Sequence, residues 1–475
     1  MSRAAFRCSR YVRAAATPSA CLGLGLITLF NVLMMAAALA ETLPDALAKA
    51  YRNNPQLNAE RAKLRGTDEN VPQALAGYRP QLVATLSAGL QAVRNLLPGN
   101  TVQGATLHPW TIGLTVSQVL FNGNKTANSV RVAEFQVRSG REALRNVGQG
   151  VLLDAVTAYM NVMANYALYE AQRTNVQVLR EIQATTQRRL NAGDVTPTDT
   201  AQAEARLNRG LADLNAAEVQ LKISKEVYAQ VIGEPPPQLV PASPVDRLMP
   251  STQIAAVELA VHENPAVLGA SYDLDVAQTS IKLAESALLP TLSAQANASH
   301  SVDSDPTLST FRTDQVSVTG QLTVPIYDGG TAASQTRQAK ELASQSRLVL
   351  EQVRNQSRTA VVSAWVSNEG TKVALKAAES EVHAAEVALQ GVQREAAGGQ
   401  RTTIDVLNAQ QDLTNARTRL ITAQRDRVIA SYTMLSAVGR LDVHNLNLDT
   451  PDYLPEVHYH QVRDAWHGLR TPSGQ

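Results

Sequence analysis

Apolar residues recur along two stretches of the chain at intervals that alternate between four and three. They are Leu152, Val156, Tyr159, Met163 and Tyr166 in the first, and Leu207, Leu211, Leu214, Leu221, Tyr228 and Ile232 after a short break. Such spacing keeps a narrow apolar stripe on one side of a helix and predicts helix packed on helix along a seam. The break, residues 192–199, carries Gly193, Pro197 and Asp199, which are turn and helix-start residues. The pattern is therefore a helical hairpin. Its first arm, from about Lys125 to Asn191, would run about 100 Å at about 1.5 Å per residue, far more than a compact domain needs.

The chain carries this hairpin twice. Residues 118–233, shifted by 206, fall on 324–439 without a gap: Gly123 on Gly329, Ala158 on Ala364, Gly193 on Gly399, Asp199 on Asp405, Leu207 on Leu413 and Gly233 on Gly439. An ungapped match of this length marks a duplicated structural unit. Asn54-Pro55, an N-cap followed by a first helical residue, returns as Asn264-Pro265.

Before each hairpin the period changes to two. Leu82, Ala84, Leu86, Ala88 and Leu90 alternate with Val83, Thr85, Ser87, Gly89 and Gln91. A loop is expected over residues 95–108, after which Ile112, Leu114 and Val116 alternate with Thr111, Gly113, Thr115 and Ser117. The second copy repeats this with Leu292, Ala294, Ala296 and Ala298 against Ser293, Gln295 and Asn297, then Val316, Val318, Leu322 and Val324 against Ser317, Thr319, Gln321 and Thr323. Four nearly uncharged, two-sided strands fit outer-membrane strands, apolar to lipid and polar to a lumen; a soluble antiparallel sheet covered by helices is the alternative. Four strands cannot close a barrel, and an open edge in lipid leaves backbone groups unpaired. Two copies give eight strands, which enclose only side chains, whereas three give twelve and leave a passage.

These elements divide the chain into residues 41–233, a proline-bearing linker over 234–250, residues 251–439, and a polar tail over 440–475 expected to be peripheral or disordered. Residues 1–40 differ in kind. Arg3, Arg7, Arg10 and Arg13 precede a mostly apolar run, and Ala38-Leu39-Ala40 fits a cleavage site, so export with cleavage after Ala40 is expected, an uncleaved anchor being the other reading. Both cysteines, Cys8 and Cys21, lie in that segment.

Composition narrows the function. With 43 basic against 42 acidic residues, nothing points to nucleic acid. An aromatic content of 4% suits slender coiled coils better than a thick core. No metalloprotease, phosphate-loop, dinucleotide or nucleophile-elbow motif occurs, so no enzyme, cofactor or metal is expected. His458, His460 and His467 could be imagined as ligands, but they stand in the tail.

The chain resembles the outer membrane factor (TolC) family of efflux and type I secretion channels over about residues 43–439. The most specific stretches are residues 157–162 (TAYMNV), 185–199 (TTQRRLNAGDVTPTD), 322–330 (LTVPIYDGG) and 399–408 (GQRTTIDVLN). The resemblance implies a mainly α protein with transmembrane β: a homotrimer whose twelve-stranded β-barrel, four strands per chain, sits in the Gram-negative outer membrane and continues as a coiled-coil barrel across the periplasm. It implies a passive exit duct working with a periplasmic adaptor and an inner-membrane ABC or RND-type transporter.

At particular positions, Asp405 matches an acid that rings the periplasmic constriction, while Asn408 stands where the family has a companion acid. Asp199 and Arg401 match a pair that latches neighbouring hairpins closed, although Ala396 replaces a latch tyrosine. Gly193 and Gly399, with Asp194 and Gln400, match the tips where an adaptor docks. Helix N-capping explains Asp199 and Asp405 equally well. A periplasmic coiled-coil adaptor is the rival reading, although it needs one helical hairpin and not two.

Overall fold

The computed structural model describes residues 40–99, 101–304, 310–472 and 474. The expected export segment, with both cysteines, lies outside the described residues apart from Ala40. Strand β1 (Ala40–Glu41) leads into α1 (Leu43–Asn53), α2 (Pro55–Asp68) and α3 (Asn70–Leu75). Then come β2 (Gln81–Ala88), β3 (Gln91–Leu97), β4 (Thr101–Leu107) and β5 (Trp110–Asn122), followed by the hairpin α4 (Lys125–Asn191) and α5 (Pro197–Ile232). After β6 (Gln238–Leu239) the order returns as α6 (Gln253–Glu263), α7 (Pro265–Glu285), β7 (Thr291–Ser304), β8 (Thr310–Thr323), α8 (Thr331–Ala397) and α9 (Thr403–Val438), with α10 (Pro455–Val462) in the tail. The long arms α4 and α8 have 67 residues each, and α5 and α9 have 36 each.

The junctions between short and long helices are built the same way in both copies. Asn54 accepts from the backbone N–H of Gln56 and Leu57 while its amide donates to the Val231 carbonyl at 3.0 Å. Asn264 accepts from Ala266 and donates to the Ala437 carbonyl, again at 3.0 Å. One side chain thus caps the start of α2 or α7 and ties it to the end of α5 or α9. At the second junction Gly439 has φ +93°, and a Cβ there would stand 2.7 Å from the Asn264 Cα, so glycine is required by conformation and by space.

The main sheet is antiparallel, in the order β2-β5-β7-β8. Leu86 pairs with Ile112, Leu114 with Ala298 and Ala296 with Val318, so one face is apolar. On the other face Thr115 pairs with Asn297 and donates to its amide oxygen at 3.0 Å. The strand ends near Gln81, Asn122, Thr291 and Thr323 lie together, so the helices meet the sheet at one rim. Strands β2 and β8 are its edges. Within residues 95–108 the expected loop gives way to strand: β3 and β4 pair antiparallel, Gln91 with Leu107 through Leu97 with Thr101, around a turn at Gly99 with φ +99°. The turn chemistry of Pro98 and Gly99 is local, and the chain on either side pairs with itself.

The tail departs most from expectation. Leu441, Val443 and Leu448 are buried in the largest core cluster with Leu43, Leu47, Leu152, Tyr159, Tyr228 and Leu435. Helix α10 lies against α2, where the His458 Nδ1 meets Asp68 Oδ2 at 2.8 Å with Asp68 almost fully buried. A few apolar residues spaced among many polar ones are enough to dock a segment, and average polarity conceals them. The linker over 234–250 is anchored as well: β6 pairs in parallel with β1, and Val245 and Leu248 pack against the same cluster. The single O–H of Tyr159 is directed from this core at the Val240 carbonyl at 2.7 Å and shared with the Glu41 carbonyl at 2.9 Å, and burial pushes its phenol up to about 12.

Candidate functional site: the paired helical tips

Two tips lie at the ends of the hairpins farthest from the sheet. At the first, α4 ends in a turn in which Gly193 has φ +82° and Asp194 N–H donates to the Arg189 carbonyl at 2.9 Å. At the second, Gly399 has φ +75° and Gln400 N–H donates to the Glu395 carbonyl at 2.9 Å. These are helix-ending turns that need a left-handed residue. Nothing lies within 4 Å of where a Cβ would stand on either glycine, so conformation and not crowding selects glycine here.

The return helices start with matching capping boxes. Asp199 Oδ2 accepts from the Thr196 N–H at 2.9 Å and its hydroxyl at 2.8 Å. Asp405 Oδ2 accepts from the Thr402 N–H at 3.0 Å and its hydroxyl at 2.8 Å. Thr196 and Thr402 are therefore the N-caps, and the two aspartates are the third helical residues that reach back to them. The backbone N–H groups of Thr196 and Thr402 hold both carboxyls below the usual carboxylate value.

Within one chain Asp199 and Arg401 are not brought together. Arg401 Nε instead donates to Glu395 Oε2 at 2.9 Å, and that contact raises its pKa. Any pairing with Asp199 has to reach across to another hairpin in competition with Glu395. Ala396 is one of the residues lining a groove of 330 Å³ between the hairpins, with Ile182, Thr186 and Val406.

Two features escaped sequence reasoning. The Asn408 side-chain oxygen accepts from Arg206 Nη2 at 3.0 Å, a link from the first hairpin to the second. Within the next two turns, a buried polar layer joins α4 to α9: Gln410 and Thr414 both donate to Asn175 Oδ1 at 3.1 Å. Apolar packing of Leu179, Ala203 and Leu407 lies alongside. Buried polar partners in a helical seam fix its register, since a slip would leave them unpaired. No periodicity shows which polar residues on separate helices meet. No cluster of three or more metal-ligating side chains occurs among the described residues, and none of the described helices is long and apolar enough to cross a membrane.

A family model described as "Outer membrane efflux protein" matches residues 46–234 and 256–440. The chain belongs to the outer membrane efflux protein family. It is 39% identical over 445 residues to the outer membrane efflux protein BepC of Brucella suis, covering 94% of this chain and 95% of that one. It is 27% identical to the outer membrane protein TolC of Escherichia coli, covering 86% and 84%. Among solved structures, the Campylobacter jejuni CmeC outer membrane channel superposes with a TM-score of 0.75 at 15% identity, covering 89% of each chain. The fold is that of the efflux channels: a duplicated, mainly helical chain with four membrane strands, completed as a trimer whose barrel continues into a helical tunnel. The protein is an outer-membrane exit duct that extends into the periplasm, and the reading as a periplasmic adaptor is set aside.

Proposed function

We propose that this efflux-family duct is held shut at its helical tips and opened there when a periplasmic adaptor and an inner-membrane ABC or RND-type transporter engage it. The observation that carries the reading is the tip geometry. Two exposed, identically capped turns end arms of 67 residues, about 100 Å from the sheet. A tunnel open at that end would leak, so neighbouring hairpins need a reversible hold. Gly193, Asp194, Gly399 and Gln400 present exposed backbone and polar side chains where an adaptor could dock. Arg401, paired with Glu395, can exchange that partner for Asp199 of an adjacent hairpin. An exposed pair of this kind contributes about 0–1 kcal/mol, little for one contact but additive over three copies. Asp405 and Asn408 stand at the proposed constriction.

The test is single-channel conductance of the purified protein in planar bilayers. Arg401→Ser should raise conductance while leaving trimers intact; Asp199→Ala should do the same with an added loss of helix capping. Unchanged conductance in both, with intact trimers, would reduce Asp199 to its capping role and put the gate elsewhere.

A further inference from the structure

Arg206 has no counterpart among the residues assigned to the tip, yet it is the charged group that the fold delivers to Asn408. Ala203 on α5 and Leu407 on α9 are each 1% exposed and pack with Leu179. That apolar contact fixes how α5 crosses α9. Arg206 lies one helical turn beyond Ala203, and Asn408 directly follows Leu407, so their side chains meet at the margin of the seam, Nη2 to Oδ1 at 3.0 Å. Asn408 is exposed and Arg206 partly so, so the guanidinium charge faces water and is not sealed in the core. Asp405 stands three residues before Asn408, nearly one turn away on the same helix.

From this we infer that Arg206 sets the ion selectivity of the duct's constriction. The inference rests on the proposal that Asp405 and Asn408 line that constriction. In a trimer, three Asp405 carboxylates are then matched by three Arg206 guanidiniums, and the ring is close to neutral where two acids per chain would make it strongly negative. Rings of fixed charge select permeating ions by sign. At separations of one helical turn, in the reduced dielectric of a narrow passage, each such charge acts on an ion with an energy above thermal. The duct is accordingly less cation-selective and less sensitive to block by multivalent cations, and its constriction admits anionic cargo that an acidic ring repels.

The experiment uses the full protein purified from membranes, with the potassium-over-chloride permeability ratio read under a KCl gradient and block read with Mg²⁺ added on the tip side. Arg206→Gln should raise the permeability ratio and the sensitivity to Mg²⁺ by on the order of tenfold, whereas Arg206→Lys should leave both near the wild type. Asn408→Asp alone leaves the ring with the same net charge as Arg206→Gln and should raise block by a comparable factor; combined with Arg206→Gln it should give the strongest block of the set. Arg206→Met keeps an unbranched stem without the charge, so it reads the same claim should Arg206→Gln fail to assemble. A double variant blocked no more strongly than Asn408→Asp alone would overturn the inference. So would an Arg206→Gln channel that matches the wild type while Asp405→Asn still weakens block; in that case the constriction stands and Arg206 is only a strut. If Asp405→Asn has no effect either, the constriction itself lies elsewhere and both readings fail.

Discussion

The two long arms α4 and α8 have the same length and match position for position, yet one is covered and the other is bare. Val156 and Met160 on α4 are 0% and 6% exposed, while Val362 and Val366, 206 positions on, are 38% and 61% exposed. What differs is the company they keep. In the first copy, α1 and the tail residues Leu441, Val443 and Leu448 close over the middle of the hairpin. In the second, α6 packs on Val361, Ala364 and Trp365, and no described tail residue joins that cluster. Leu342, Leu348, Val349 and Val373 extend the uncovered apolar surface of α8. Duplication supplied two equivalent apolar helices, and only one of them is satisfied within the chain. An exposed apolar face of this extent marks an interface, and in a trimeric channel the neighbouring copy is expected to cover it.

The largest effects should separate these two fates. Met160→Arg buries an unpaired charge in the core and should prevent folding. Val366→Arg, at the matching position, should leave a helical chain that cannot assemble. Circular dichroism with native gel electrophoresis distinguishes them, and normal trimers from Val366→Arg would mean that the bare face is not the interface. Next in size is the tail. Truncation after Gly439 removes four buried apolar side chains, Leu441, Val443, Leu448 and Val462, each worth about 1.5–3 kcal/mol on burial. It should lower the Tm of the assembled protein substantially, whereas truncation after Arg463, beyond α10, should change it little; equal loss from both would contradict the division of labour between the copies.

A third comparison concerns the sheet. Leu86→Arg or Leu114→Arg on the apolar face should cost roughly 2–4 kcal/mol near the bilayer midplane, whereas Thr85→Arg or Thr115→Arg on the polar face should be tolerated and alter conductance. Equal responses would show that the faces are assigned wrongly. The smallest effect is at the tips. Because Asp199 and Asp405 are held below their ordinary values, the capping they provide is complete above the unfolded value of about 4 and is lost as pH falls through the lower folded value. Amide exchange at the tips should therefore be protected alike across the neutral range and rise only in acid below about pH 4. A change centred between pH 6 and 8 would point to another group.

Much of this architecture is legible in the sequence for a physical reason: long periodic elements repeat one signal many times. The arm from Lys125 to Asn191, the sided strands and the Asn54 and Asn264 caps all depend on residues close in the chain. What could not be read depends on meetings between distant segments. Leu441 and Val443 look like isolated apolar residues in a polar tail until Leu435 and Tyr159 are placed beside them. Thr196 and Thr402 take the N-cap because the helix starts one turn before the aspartates, an offset that a Gly-containing turn leaves open. Tyr166 and Leu211 belong to the apolar stripe in the sequence and are nevertheless exposed, since a 3.6-residue helix drifts off a seam of period 3.5 over such lengths. Arg206 and Asn408 stand 202 residues apart, and nothing in either neighbourhood announces the other.

The central claim is that one chain is an incomplete object, with sheet edges at β2 and β8 and a bare α8, and that three copies complete it. Native mass measurement of the protein extracted in detergent from outer-membrane fractions tests this most directly. A single species at three times the mass of the purified single chain is the predicted result. A stable monomer or dimer from the outer membrane would contradict the account.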